Sequence, residues 1–496
     1  MISETLETGI KIDFEYDFFG RKTKVKLFDG SEIHYDYDAT NLKKVSRYNP
    51  ENTLQYAHEY LEYNLRGNCT RERMIHSCQD VDYKHDEKGL LSSIQSETYE
   101  SDINKRDFLG NILHVSTKDM FGSTKNHYTY NEISQLVGES EVYESTFPLE
   151  FKNTFSFDSL HNLREKNEEK FTSNSLNQLK PDSEDILEYD LQGNLTRKKI
   201  GLQDYKYSYD SLGRLEQVQV DDLQVAFRYD TFDRCIAREE LHYSEKDQEW
   251  ETYDKKEFLY EERNEIGALD VIENLANKKI VELRVLGQGL TAETGASIAI
   301  ELGDKVFAVM HDYRGNVTQL IDPKTKSVEE SYHYSAFGSK KVCTGYQYFN
   351  YNPYLFSYNN NSKLGNPWQF ASKRVEEDLD LVNYGRRFYL PDLCRWLSPD
   401  PMGQQAGFNL YAFVSNNPIN RLDSYGLFDF SEFFGDMFSS IGRGIKAAFD
   451  WGAGLFSGFM DGCRNVVGEG ISFAGKHFVP APKEIREKIV NFGRRL

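Results

Sequence analysis

A chain of 496 residues is too long for one conventional hydrophobic core, so several domains or a repeat array are expected. Hydrophobic residues make up 39% and the mean hydropathy is −0.65, which argues against a thick apolar core, whereas 32 Tyr and 33 Phe suit half-buried strands. The net charge of −20 would repel phosphate backbones, so a body that binds nucleic acid is disfavoured.

The N-terminal residues, Met1 to Thr5, are acidic and include no apolar stretch of the kind found in a Sec-type signal peptide. No run of about 18 apolar residues follows, so no ordinary membrane span is predicted. The sequence therefore indicates a protein that stays in the cytoplasm until a route independent of a signal peptide exports it. The six cysteines show neither a CxxC spacing nor a zinc pattern, and we interpret them as reduced thiols. These cysteines are Cys69, Cys78, Cys235, Cys343, Cys394 and Cys463.

A Tyr-Asp turn motif recurs through most of the chain. Each copy predicts a strand, a turn and a second strand, because Asp bonds nearby backbone in a turn and Gly supplies a positive φ. A repeat of about 20 residues leaves no room for a crossover helix, so it predicts a long antiparallel sheet, with Asp221-Asp222 as one hairpin tip. We interpret these repeats as scaffold. The clearest copies begin at Tyr16-Asp17, Tyr37-Asp38, Tyr189-Asp190, Tyr209-Asp210 and Tyr229-Asp230.

A second, denser group of motifs lies between Asn366 and Leu427. It combines aromatic residues, glycines, arginines and Asp-Pro or Asn-Pro turns in a fixed order. Its stretches are Asn366–Lys373, Leu381–Tyr389, Arg395–Gly403, Asn409–Phe413, Asn416–Pro418 and Asp423–Leu427.

The Tyr-Asp repeats followed by this group resemble the YD-repeat proteins of the RHS type, together with the C components of bacterial Tc toxins and animal teneurins. The resemblance covers about residues 10–427. It implies an all-β fold, in which a long spiralling antiparallel sheet of hairpins forms a hollow shell closed by an RHS-repeat-associated core. The implied domains are a YD-repeat β-shell at 1–340, a core that acts as plug and aspartic-type autoprotease at 341–427, and a variable C-terminal passenger at 428–496.

The resemblance also implies a self-cleavage site without metal or cofactor. Its two acids fall on Asp400 and Asp423, its assisting arginine on Arg387, and its scissile bond on Leu427–Phe428. Two neighbouring carboxylates cannot both ionise easily, so one supplies an acid and the other a base. Ser424 departs from the family pattern, which usually has proline there, and leaves the turn after Asp423 less constrained.

The last segment, residues 428–496, leaves the repeat pattern and carries a net charge of +1, from nine basic and eight acidic residues. Asp429 with Glu432 has capping-box spacing, and Phe, Met and Ile residues follow at helical spacing, which predicts a Gly/Phe-rich amphipathic helix. Two interpretations remain open: a helix packed on the inner wall of the shell, and a membrane-active or effector segment. The segment contains no recognisable catalytic motif.

These features favour a toxin-delivery shell that encloses its own C-terminal segment as cargo and releases it by single-turnover self-cleavage. The expected partners are a shell-closing or secretion-machine chain and an immunity protein. The alternative is a non-catalytic structural or cell-contact protein of the same fold with an inactive core. A third interpretation is a relic that has lost its neighbouring domains.

Overall fold

The computed structural model describes residues 2–120, 122–144, 149–271, 278–344 and 361–427. Within these ranges the protein consists of three antiparallel sheets joined by turns and short 3-10 segments. This confirms the predicted all-β class. The predicted tail helix, Phe428 and Cys463 lie outside the described residues, and the boundaries of the three domains stay a prediction.

The first sheet is a meander in which each strand pairs antiparallel with the next along the chain. Its strands are β1 Ile2–Thr5, β2 Lys11–Tyr16, β3 Lys22–Lys26, β4 Glu32–Tyr37, β5 Leu42–Tyr48, β6 Leu54–Tyr63, β7 Cys69–Arg73, β8 Asp80–His85, β9 Leu91–Gln95, β10 Glu100–Arg106, β11 Ile112–Asp119, β12 Gly122–Tyr130, β13 Leu136–Tyr143, β14 Leu149–Phe157, β15 Leu163–Lys166, β16 Glu169–Ser173 and β17 Leu179–Pro181.

The second sheet continues the meander with the same sequential pairing. Its strands are β18 Ile186–Tyr189, β19 Leu195–Ile200, β20 Gln203–Tyr209, β21 Leu215–Val220, β22 Leu223–Tyr229, β23 Cys235–Ser244, β24 Glu249–Glu261, β25 Asn264–Asp270, β26 Lys279–Leu286, β27 Ser297–Leu302, β28 Lys305–His311, β29 Val317–Ile321, β30 Val328–Tyr334 and β31 Lys340–Thr344. The predicted hairpin tip at Asp221-Asp222 is confirmed, since Val220 pairs with Leu223.

A small third sheet lies within the predicted core segment and consists of β32 Arg374–Glu376, β33 Leu381–Asn383, β34 Phe388–Leu390 and β35 Arg395–Trp396. The 3-10 segments of the described residues are Ile75–Ser77, Phe370–Ser372, Pro391–Leu393, Gly403–Ala406 and Val414–Asn416.

The Tyr-Asp motif builds the turn in the way its residue types predict. Asp210 accepts hydrogen bonds from the backbone N–H groups of Leu212 at 2.9 Å and Arg214 at 3.0 Å. The intervening Gly213 takes a φ of +75°, which glycine adopts without strain. The Tyr229 hydroxyl donates to the Leu215 carbonyl at 2.8 Å and so joins one repeat to the preceding one. The turn residues are therefore occupied in building the scaffold.

The same tyrosines mark β-bulges, where one strand carries an extra residue. The register shifts directly before the tyrosine in five copies of the motif, at Tyr16, Tyr37, Tyr189, Tyr209 and Tyr229. A bulge bends its strand and increases the local right-handed twist. These bulges therefore bend the long sheets at several places along their length.

The two large sheets contact each other along their length through polar side chains. In four such pairs, a residue further along the first sheet contacts a residue further along the second sheet. The two partners of a pair are 230, 254, 221 and 214 residues apart in the chain. Pairs in this order are expected when a long sheet coils, so that the second sheet lies beside the first. The four pairs are Glu4 with Arg234 (2.6 Å), Arg47 with Glu301 (3.0 Å), Thr98 with Gln319 (2.7 Å) and Asp119 with His333 (2.7 Å).

The core segment packs against both large sheets with buried charged and polar groups. Such groups are costly to bury unless they are paired, so the pairs fix the segment in one position. The contacts include Arg238 with Glu376 (2.7 Å), Arg374 with Glu282 (2.6 Å), Tyr389 with the Phe337 carbonyl (2.9 Å), Arg395 with the Asn177 carbonyl (2.7 Å) and Tyr411 with the Gly193 carbonyl (2.7 Å).

Five of the six cysteines lie in the described part of the chain, and all five are free thiols. Among the described residues, no helix is long and apolar enough to cross a membrane.

Candidate active site

The loops around β34 and β35 hold the three predicted site residues close together. Arg387 directly precedes β34, Asp400 follows β35, and Asp423 lies in the last described loop. A turn fixes Asp400, because its backbone N–H donates to the Leu410 carbonyl at 2.9 Å and its carbonyl accepts from Gly403 at 2.9 Å. The Asp400 carboxylate also accepts from the backbone N–H of Met402 at 2.8 Å.

The Arg387 guanidinium lies between the two acids. Its Nη2 atom is 2.6 Å from Oδ2 of Asp400 and 3.8 Å from Oδ2 of Asp423. All three side chains are at least nine-tenths buried, with relative exposures of 3% for Arg387, 6% for Asp400 and 5% for Asp423. One cation therefore faces two carboxylates away from water.

Leu427, on the amino side of the predicted scissile bond, contacts both Arg387 and Asp423. Its carbonyl oxygen lies 3.3 Å from Nη2 of Arg387, and its backbone N–H donates to Oδ1 of Asp423 at 3.1 Å. Arg387 also donates through Nε to the Gly426 carbonyl. Leu427 is thus held by two of the three predicted site residues, Arg387 at the carbonyl of the predicted scissile bond and Asp423 at the amide of the preceding peptide. Its other half, Phe428, lies outside the described residues.

Burial and the uneven charge shift the acid–base properties of the pair. Burial raises the pKa of Asp423 to about 7, and the Asp400 charge also raises it, whereas Arg387 and the two backbone N–H donors lower it. Burial likewise lowers the pKa of Arg387, although both carboxylates oppose that shift. A proton on Asp423 relieves the repulsion between two buried carboxyl groups that share one arginine.

Arg387 is also held by aromatic packing. Its guanidinium carbon lies 4.1 Å from the ring centroid of Trp396, and Trp396 is itself buried against Tyr384 and Phe413. A cation over an indole face is attracted to it. The motif contained Trp396 without indicating this role, which depends on how β34 and β35 pair.

Gly426 allows the substrate loop to approach the arginine. Its φ is +66°, and a Cβ atom there would lie 3.0 Å from Cβ of Tyr384 and 3.4 Å from the backbone nitrogen of Arg387. Glycine is therefore required both for the backbone conformation and for the close approach.

Two buried residues beside the site were missed by sequence reasoning. Lys373 donates to the carbonyl oxygen of Ser424 at 2.5 Å and forms an ion pair with Glu293. Glu293 lies between β26 and β27, in a stretch without a motif, so no sequence signal connected it with the core segment. Among the described residues, no group of three or more His, Cys, Asp or Glu side chains is placed to hold a metal ion.

The comparison with family models matches residues 101–419 to the teneurin YD-shell family. This match includes Arg387 and Asp400 and ends before Asp423. Among curated proteins, the chain is 23% identical over 335 residues to the double-stranded DNA deaminase toxin A of Burkholderia cenocepacia, which covers 65% of this chain and 22% of that toxin. It is 49% identical over 56 residues to the toxin subunit YenC2 of Yersinia entomophaga, or 11% of this chain and 6% of that subunit.

Solved structures show the same fold. The crystal structure of TcdB2-TccC3 superposes with a TM-score of 0.67 at 18% identity, covering 84% of this chain and 22% of that one. A structure of the Photorhabdus luminescens Tc holotoxin pore gives the same TM-score at 17% identity, covering 86% and 21%. The chain therefore spans about a fifth of these proteins. Because the family match covers more than half of its residues, the chain belongs to the teneurin YD-shell family and is related to bacterial toxin components.

Proposed function

We propose that this chain is a toxin-delivery shell that encloses its own C-terminal segment and cuts it free once, at Leu427–Phe428. The observation that carries the proposal is that Arg387 and Asp423 contact the carbonyl and the N–H of Leu427, while Arg387 also pairs with Asp400. Arg387 thus lies beside the carbonyl of the proposed scissile bond, Asp423 binds the amide just before it, and Asp400 reaches the site through Arg387.

The chemistry would be hydrolysis of one amide bond. Asp400, the carboxylate closer to Arg387, takes a proton from a water molecule whose oxygen attacks the carbonyl carbon of Leu427. Arg387 stabilises the negative charge that develops on the Leu427 oxygen. The C–N bond then breaks, and the proton held by Asp423 passes to the leaving nitrogen of Phe428. The products are a carboxyl group on Leu427 and a free amine on Phe428.

The geometry also supports a single turnover. The new carboxylate at Leu427 would remain beside Arg387, which already donates to the carbonyls of Gly426 and Leu427. The substrate is part of the same chain, so its effective concentration is high before cleavage and its product is not replaced afterwards. Such a site would act once in each molecule.

Partners and cargo follow from the same proposal. The cargo is residues 428–496, a second chain closes the shell or connects it to a secretion machine, and an immunity protein protects the producing cell. The released segment is either a helix that packs on the inner wall of the shell until release or a segment that acts on a membrane. The polar contacts between the core segment and both large sheets support a core that plugs the shell.

Enclosure is tested by separating the cleaved chain under native and denaturing conditions. If the shell holds its cargo, residues 428–496 co-elute with the shell on native gel filtration, resist added protease, and separate only in denaturant. A cleaved segment that elutes alone, or that protease digests at once, would contradict enclosure. The alternative of a non-catalytic structural or cell-contact protein predicts an uncleaved chain in both conditions.

A further inference from the structure

Two polar contacts at Ser424 hold the turn that carries Asp423, one to Lys373 within the core segment and one to Thr291 in the loop between β26 and β27. The Ser424 carbonyl accepts from Nζ of Lys373 at 2.5 Å, and the Ser424 hydroxyl donates to Oγ1 of Thr291 at 2.9 Å. Within the turn, Oδ1 of Asp423 accepts from the N–H groups of Tyr425 and Leu427, both at 3.1 Å. Ser424 directly follows Asp423 in the chain. Its two contacts therefore hold the backbone that leads from Asp423 to Leu427.

Lys373 and Glu293 are both buried, with exposures of 2% and 4%, and are ion-paired. Among the described residues, the hydrogen bonds and ion pairs of their side chains are with each other, with the Ser424 carbonyl and with Arg284. A buried ammonium and carboxylate are costly to desolvate, and the cost is tolerated only with good geometry and further hydrogen bonds. The Lys373 ammonium is positioned over two rings, 5.3 Å from that of Tyr384 and 5.7 Å from that of Tyr425, so its direction towards Ser424 is tightly constrained.

A cavity of about 20 Å³ lies beside this pair and has room for about one water molecule. Its lining includes Glu293, Lys373, Tyr384 and Tyr425. Oε2 of Glu293 and the hydroxyl of Tyr384 are buried without a protein hydrogen-bond partner among the described residues. The cavity therefore offers room for a water molecule beside two buried polar atoms of this cluster.

We infer that Lys373 and Glu293 are positioning residues for the self-cleavage site. They hold the Ser424 carbonyl so that the Asp423 carboxyl faces Arg387 and the Leu427 peptide. This inference rests on the proposed function. It also bears on Ser424, which stands where the family usually has proline: the Ser424 hydroxyl binds Thr291, a contact that a proline ring could not make.

The first experiment asks whether Lys373 acts by holding the turn at Ser424 or only by neutralising the charge of Glu293. Lys373→Met removes the donor to Ser424 and slows cleavage about 10- to 100-fold, the scale expected for a small displacement of a reacting group. Glu293→Gln keeps Lys373 and its bond to Ser424, so its effect is smaller. In the double variant Lys373→Met with Glu293→Gln, no unpaired charge remains, and cleavage stays as slow as in Lys373→Met. Recovery of the wild-type rate in the double variant would overturn the inference.

A second experiment measures how firmly the turn after Asp423 is held, in chains that do not cleave. Hydrogen exchange is measured in full-length chains that carry Asp400→Asn, with and without the Lys373→Met and Glu293→Gln pair. Loss of the contact is expected to speed exchange of the Tyr425 and Leu427 amides about tenfold or more. The Leu212 and Arg214 amides of a repeat turn serve as control and keep their rates. Unchanged exchange at Tyr425 and Leu427 would overturn the inference whether or not the wild type cleaves itself, whereas failure of self-cleavage alone contradicts only the proposed function.

Discussion

The guanidinium of Arg387 lies 3.3 Å from the carbonyl oxygen of Leu427, the atom on which negative charge develops when the proposed scissile bond is attacked. The same nitrogen lies 2.6 Å from Asp400. A planar guanidinium can serve both partners, because its donors diverge in a fixed fork. This one relationship connects the buried ion pair with the substrate peptide.

Replacing Arg387 by lysine keeps the positive charge and loses the fork. We expect cleavage to slow by about 100-fold or more, as removal of one oxyanion donor usually does. The measurement is the fraction of full-length chain against time after refolding from denaturant. Arg386→Lys is the matched control, because Arg386 is the neighbouring residue and pairs with Asp233 in the repeats. Equal rates of cleavage in Arg387→Lys and the wild type would show that the Arg387 guanidinium is not needed for the reaction.

Cleavage should depend on pH through Asp423. Burial raises the pKa of this carboxyl from its ordinary 3.8 to about 7, so the acid form needed to protonate the leaving nitrogen is present below pH 7 and is lost above it. Above pH 7 the rate of cleavage should fall by a factor that approaches ten for each further pH unit. Rates after refolding at pH 6, 7, 8 and 9 test this, with Asp423→Asn as the inactive control. A rate that rises from pH 6 to pH 9 would assign the proton to another group.

Gly426→Ala should impair cleavage through a collision rather than through a lost charge. The added Cβ would lie 3.0 Å from Cβ of Tyr384, which displaces the Leu427 carbonyl from Arg387. Gly303→Ala is the control, because Gly303 has a similar φ of +59° with open space around it. We expect both variants to lose some stability from the positive φ, and only Gly426→Ala to cleave at least about 10-fold more slowly. Equal rates in the two variants would show that the close approach is irrelevant.

His333 should stabilise the scaffold in a pH-dependent way. Its ring lies 2.7 Å from Asp119 and 2.9 Å from Glu141; burial lowers its pKa, but these two carboxylates outweigh burial and raise it to about 10. The folded pKa exceeds the ordinary 6.5, so the stabilisation is complete below pH 6.5 and is lost as the pH rises through 10.

His333→Gln tests that window by urea unfolding at pH 6 and pH 10. We expect a loss of about 3 kcal/mol at pH 6, because one partner of a buried ion pair is removed, and a smaller loss at pH 10. His242→Gln is the control, since His242 pairs with Glu240 at 2.9 Å but is 45% exposed, and surface pairs contribute little. A loss for His333→Gln that is as large at pH 10 as at pH 6 would contradict the account.

The scaffold was predictable from the sequence because its contacts are local and repeated. The Asp210 carboxylate and the amides it binds are at most four residues apart, and the Tyr229 hydroxyl reaches Leu215 only 14 residues away. Turn residues at a fixed spacing therefore indicate both the hairpins and their order. The bulge before each tyrosine gives no signal of its own, since it is a feature of register.

The site was only partly predictable. The order of Arg387, Asp400 and Asp423 came from the resemblance to known families, and the structure places these three residues together. Lys373 lies 80 residues from Glu293 and 51 from Ser424, and nothing in the spacing of these residues links them. The contact with Glu293 depends on how the core segment docks onto the second sheet, and the contact with Ser424 depends on how the core segment folds back on itself. The extent of the passenger and its helix stay predictions.

The most direct test of self-cleavage is the intact mass of the freshly purified, denatured chain beside its Asp400→Asn and Asp423→Asn variants. The account predicts two species in the wild type, with the masses of residues 1–427 and residues 428–496. It predicts a single species of 57.6 kDa in both variants. A single species of 57.6 kDa in all three would contradict self-cleavage and leave the structural role of the shell as the better description.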